Sequence, residues 1–143
     1  MESNQVMEKI KEQYAGVECH EQFLLVPVEK LTTVMQQLRD EYQFNYLTNE
    51  TAVDYQEYME IIYNLSRVPA GDMLTVKTKV TREQPEAPSM VEIWPGALWQ
   101  EREIYDLLGI VFTNHPDLRR ILLEDGFEGY PLRKDFQWVG GRG

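Results

Sequence analysis

The chain has little that would let it do chemistry alone. One cysteine, Cys19, excludes an internal disulfide and any iron–sulfur cluster ligated by this chain by itself. Two histidines, His20 and His115, lie far apart and in no zinc-like spacing. No apolar run approaches the roughly 20 residues of a membrane-spanning helix. The opening Met1-Glu2-Ser3-Asn4-Gln5 lacks the basic region and apolar block of a secretory signal. No strand–GxGxxG–helix arrangement is present to cradle a phosphate. Basic charge is scarce: 14 Lys/Arg against 24 Asp/Glu give a net charge of −10, which argues against nucleic acid as a partner. These absences imply a cytoplasmic, cofactor-free chain whose membrane contact, if any, would run through a partner.

What is present suits one domain. At 143 residues with 43% apolar content there is enough material for a real core. The charge is uneven: residues 1–114 hold 9 Lys/Arg and 19 Asp/Glu, whereas residues 115–143 hold 5 of each. The expected organisation is a single α+β domain over residues 1–123. An extended tail, 124–143, packs on that domain or on a neighbouring subunit.

Val6, Ile10 and Tyr14 predict an amphipathic helix over 3–15. Val17 to Val26 reads as one strand, buried on both faces through Phe23-Leu24-Leu25-Val26. Leu31, Val34, Met35, Leu38 and Tyr42 then predict a core-facing helix over about 29–42. Three strands follow, over 46–55, 58–67 and 73–82. The last alternates cleanly, with Leu74, Val76, Thr78 and Val80 on one face, implying antiparallel neighbours and one wet side. Residues 84–88 read as a loop and 89–93 as a short extended piece. The predicted fold is thus two N-terminal helices flanking a strand, a small mainly antiparallel sheet, one later helix and an extended tail.

The later helix, 97–108, carries the densest chemistry. Pro95 before it and Gly109 after it are the expected start and stop signals. On a helical arc Glu101 falls among Ala97, Leu98, Ile104, Tyr105, Leu107 and Leu108, while Arg102, Glu103 and Asp106 fall on the other side. An inward carboxylate needs a partner or a raised pKa. Arg119, Arg120 and Arg133 are the candidate cations; the alternative is that Glu101 snorkels to an edge. Glu103 and Asp106 share a face at i, i+3 and could be read as an acid/base pair of a small hydrolase. Against that, Arg102 stands at i, i+4 from Asp106 and offers a simple surface pair.

Glu101-Arg102-Glu103, Asp106-Leu107-Leu108, His115, Arg119 and Ile121-Leu122 together resemble, in identity and spacing, the motif of the C subunit of respiratory complex I, the NADH:quinone oxidoreductase. Thr51-Ala52-Val53-Asp54-Tyr55, Ile93-Trp94-Pro95-Gly96-Ala97 and the run from Gly126 to Phe136 are similar to that family too, so the likeness covers about 20–138. The resemblance implies a non-catalytic subunit of the peripheral arm, with no catalytic, cofactor-binding or metal residues of its own. NADH or another donor, flavin, iron–sulfur clusters and quinone would be used on other subunits. The implied partners are the D subunit, which helps form the quinone pocket, and the iron–sulfur subunits, at the cytoplasmic face of the membrane. Energy-converting hydrogenases and other-donor complexes hold equivalent subunits. Longer members continue past the position of Gly143 over neighbouring subunits. The candidate partner-binding residues are Arg119, Arg120, Tyr130, Leu132, Arg133, Lys134, Asp135 and Phe136.

Overall fold

The computed structural model describes residues 1–123 and 127–136. Helix α1 (Ser3–Gln13) buries Val6, Met7 and Ile10, and α2 (Leu31–Asp40) buries Leu31, Val34, Met35 and Leu38. One turn of 3-10 helix, Val28–Lys30, leads into α2. The Tyr14 hydroxyl and Gln37 side chain bond at 2.5 Å, tying the end of α1 to α2.

The main sheet has five strands: β1 (Glu18–Cys19), β2 (Leu24–Leu25), β3 (Tyr46–Asp54), β4 (Met59–Ser66) and β5 (Met73–Val80), in the order β1-β2-β5-β4-β3. The pairs β3–β4 and β4–β5 form an antiparallel meander, while β2 runs parallel to β5. The alternation in β5 puts Leu74, Val76, Thr78 and Val80 on the buried face, opposite Leu65, Tyr63, Ile61 and Met59 of β4. A parallel second sheet pairs β6 (Glu86–Pro88) with β7 (Val111–Thr113). Between them runs α3 (Ala97–Leu108).

Three local expectations are corrected. The single strand over 17–26 is a small hairpin, because His20 N donates to Phe23 O at 2.8 Å and folds polar Glu21-Gln22 into a turn. The loop expected at 84–88 supplies β6, whose register with β7 is set by a distant segment that local pattern does not reveal. The extended piece expected at 89–93 is a helical turn, with Ile93 N and Trp94 N both donating to Met90 O. That turn buries Trp94, whose indole N–H donates to Phe44 O at 3.1 Å.

Candidate functional site

Helix α3 is the hub. Its stop is physical as well as statistical: Gly109 has φ +78°, and a Cβ there would stand 2.7 Å from the Arg133 guanidinium and 2.8 Å from the Tyr130 ring. Left-handed backbone and the close approach of the tail both require glycine.

The three acids of α3 go to three environments. Glu103 is exposed. Glu101 and Asp106 have no exposed surface. Two expectations therefore fail. Glu103 and Asp106 do not form a joint acid/base site, because Asp106 is covered by the chain after the helix while Glu103 faces water. Arg102 does not make a surface pair with Asp106; it is itself buried. Its guanidinium donates to the backbone carbonyls of Arg119 (3.2 Å) and Arg120 (3.1 Å) and lies over the Trp99 ring at 5.0 Å.

Asp106 holds the segment after residue 119. Arg120 Nη1 donates to its Oδ1 at 2.9 Å, and the backbone N–H groups of Ile121, Leu122 and Leu123 donate to Oδ2 at 3.1, 2.6 and 3.0 Å. Burial pushes this carboxyl up, but those donors outweigh it and keep it below its ordinary value. Arg120 also donates to Gly129 O at 2.9 Å and lies over the Tyr130 ring, while Arg133 donates to Leu108 O at 2.7 Å. Leu132 N completes the seam by donating to Leu107 O at 3.0 Å.

A second buried aspartate, Asp54 at the end of β3, anchors the tail further along. It accepts from Arg82 Nη2 at 2.9 Å, Gln56 N at 2.8 Å and Lys134 N at 2.8 Å. Desolvation raises this carboxyl, and the N–H groups of Lys134 and Gln56 with Arg82 more than reverse it. Arg82 reaches on to Asp135 at 3.1 Å.

Among the described residues Glu101 has no arginine partner; the expected pairing with Arg119, Arg120 or Arg133 is replaced. Its Oε1 accepts from the Ser89 hydroxyl at 2.6 Å and its Oε2 from Met90 N at 2.9 Å. The reason is topological: the turn after β6 brings two short-range donors to the inner face of α3, whereas the arginines approach its outer face. The third neighbour is another acid, Glu50 of β3, which burial and then Glu101 push well above the ordinary carboxyl value. Desolvation raises Glu101 as well, opposed by its donors.

Of the predicted partner-binding residues, Arg120, Tyr130 and Arg133 are drawn into the chain's own seam. Arg119, Leu132, Lys134 and Asp135 stay exposed, and Phe136 is half-buried. His115 is a positioning residue: its Nδ1 accepts from Asp117 N at 2.9 Å, leaving Nε2 to donate to Leu98 O at 3.0 Å. Of the expected tail, residues 124–126 and 137–143 lie outside the described residues. The sequence does not single out Glu50, Asp54 and Arg82 as site residues. The available signal is weak: acids at i and i+4 of a strand share its core phase.

Solved structures share this fold. The structure of the trypsin-resistant fragment (1–134) of Nqo5 matches with a TM-score of 0.72 at 28% identity, covering 82% of this chain and all of that one. A chain of an archaeal respiratory membrane complex, the membrane-bound sulfane sulfur reductase, matches with a TM-score of 0.77 at 27% identity, covering 94% of this chain and 85% of that one. The class is that of small α+β chains found in respiratory assemblies.

The family model described as respiratory-chain NADH dehydrogenase, 30 Kd subunit, matches residues 24–142, and the chain belongs to that family. The NADH-quinone oxidoreductase C subunit of Moorella thermoacetica is 47% identical over 80% of this chain and 78% of its own length. The C subunit of Geotalea uraniireducens is 36% identical over 97% of this chain and 90% of its own. In Phocaeicola vulgatus the NADH-quinone oxidoreductase C/D subunit is 42% identical over 78% of this chain, the match occupying 22% of its length.

Proposed function

We propose that this chain is a non-catalytic structural subunit of the peripheral arm of an NADH:quinone oxidoreductase, one that couples electron transfer to quinone with ion translocation carried out on other subunits. The observation that carries the reading is the C/D relative, whose name makes the equivalent of this chain and a D subunit one polypeptide. Chains that are fused in one organism and separate in another are natural contact partners, so the D subunit is the first expected neighbour. The geometry supports a scaffold role, since Asp106 and Asp54 hold their own chain's tail rather than facing a cleft. NADH, flavin, iron–sulfur clusters and quinone then belong to neighbouring subunits. Arg119, Leu132, Lys134 and Asp135 form the surface offered to them. None of the described helices is long and apolar enough to cross a membrane, and attachment to the cytoplasmic face runs through partners.

Affinity purification of the tagged chain from gently washed membranes tests this. Recovery with the quinone-pocket subunit and iron–sulfur subunits is the expected result, and recovery as a free monomer overturns it. The likeness to a chain of a sulfane sulfur reductase favours a second reading, an equivalent subunit of a hydrogenase or other-donor complex. Co-purifying subunits that accept no NADH would select that reading.

A further inference from the structure

Register places Glu50 of β3 directly opposite Tyr63 of β4 on the core face, and α3 lays Glu101 against them. Glu50 is 4% exposed, and Tyr63 and Glu101 not at all. Glu101 has a donor on each oxygen, but both carboxyl oxygens of Glu50 and the hydroxyl of Tyr63 have no hydrogen-bond partner among the described residues. Among the described residues the other groups facing the cluster include no lysine or arginine, and His115 acts favourably on Glu101 rather than on Glu50. The Gln100 side chain accepts from Glu50 N, Ser89 and Met90 N face Glu101, and His115 engages its Nδ1 lone pair with Asp117 N. Glu103 faces solvent across a cavity of about 130 Å³ that Glu50 and Gln100 also line.

Two bare carboxylates cannot stand together in such a place, since desolvating each costs several kcal/mol and their repulsion adds to it. A single proton resolves all three orphaned atoms of the cluster at once. We infer that Glu50 and Glu101 form a buried proton-binding site, closed by Tyr63, that takes up one proton on folding. The proton resides on Glu50, which donates to Glu101; Tyr63 donates its hydroxyl hydrogen to the other Glu50 oxygen. Glu101 remains the carboxylate because its two oxygens already accept from Ser89 and Met90. The cavity beside Glu50 gives solvent protons access to the site. The pair thereby welds α3 to β3 without an arginine.

The consequence is readable in solution. Above the ordinary carboxyl range the unfolded chain has released this proton and the folded chain keeps it. Folding stability then falls as pH rises, by about tenfold in the equilibrium constant per pH unit until the folded site titrates. Glu50→Gln supplies a neutral donor of the same shape. Denaturant unfolding of the full chain and of Glu50→Gln should give a ratio of folding constants, variant over wild type, that climbs by about tenfold per pH unit from about pH 5 upward. A ratio independent of pH overturns the proposal. Infrared spectroscopy of the wild-type chain at neutral pH gives a check that no variant's folding affects: a carboxylic-acid C=O band that shifts in D2O is expected, and its absence is fatal. Stability measured in sodium chloride and in choline chloride separates a proton from a metal cation. Selective stabilisation by sodium, lost in Glu50→Gln, would assign the site to the cation instead.

Discussion

Arg120 and Asp106 meet at 2.9 Å across the outer face of α3, and the same carboxylate caps three consecutive backbone N–H groups, those of Ile121, Leu122 and Leu123. The contact turns an acid of the hub helix into the fastening point of the chain that follows. Asp106→Ala should remove the counter-charge of a guanidinium that is only 11% exposed and orphan those N–H groups. The expected loss is about 3 kcal/mol, the low end for a buried pair, because only one layer of chain covers it. Urea unfolding measures it. The carboxyl sits below its reference value of 3.8, so its contribution is complete above that pH and fades as pH falls through the folded value. Acid unfolding should therefore be shallower in Asp106→Ala than in the wild type.

Asp54 makes a separable prediction, because it grips the tail at Lys134 rather than at the segment after α3. Asp54→Ala should cost about 1–3 kcal/mol for a lost charge-assisted set of hydrogen bonds. The tail should feel it first. Limited proteolysis should cut near Arg133 and Lys134 faster in the variant, while amide exchange in β4 stays as slow as in the wild type. Cleavage at an unchanged rate would show that Asp54 does not retain the tail.

Gly109→Ala is predicted to act through both backbone and neighbours. The position has φ +78°, and the added Cβ would enter the space of Arg133 and Tyr130. The cost should exceed about 1 kcal/mol, because strain adds to the displacement of the ring. For a chain of this size that corresponds to a fall in Tm of roughly 2–4 °C or more. Scanning calorimetry would measure it, and a Tm equal to that of the wild type would refute the close approach.

These contacts also show what is legible in the sequence and what is not. Periodicity locates α1, α2, α3 and the meander, because each buries an apolar face whose spacing is local. It puts Glu101 in the core for the same reason. It puts Arg102 and Asp106 in water, because charge on the far side of an amphipathic helix normally means solvent. Here that side is covered by residues 119–123 and 130–133, a contact between segments that local spacing does not report. Glu50 escapes similarly: its partner is an acid on another element, and only the fold brings the two together. The strand at 86–88 reads as a loop because two prolines flank its centre and its pairing partner lies over twenty residues away. The family resemblance carries what periodicity does not, since it rests on the whole motif rather than on any one element.

If the exposed side of the hub is where a partner sits, substitutions there should separate folding from assembly. Trp99 on α3 is 59% exposed and Leu132 of the tail 57%. Neither contributes much apolar burial to this chain, so Leu132→Ser should change folding stability by no more than about 0.5 kcal/mol. Trp99→Ser also uncovers the buried Arg102 guanidinium that lies over its ring and should cost about 1 kcal/mol. An aromatic or aliphatic anchor buried at the centre of an interface between subunits is worth about 2 kcal/mol or more, roughly a thirtyfold loss of affinity when it is removed. Quantitative co-purification with the quinone-pocket subunit should therefore fall sharply for at least one of the two variants while thermal melting of the isolated chain barely moves. Equal recovery of the partner by both variants would place the interface elsewhere on the chain.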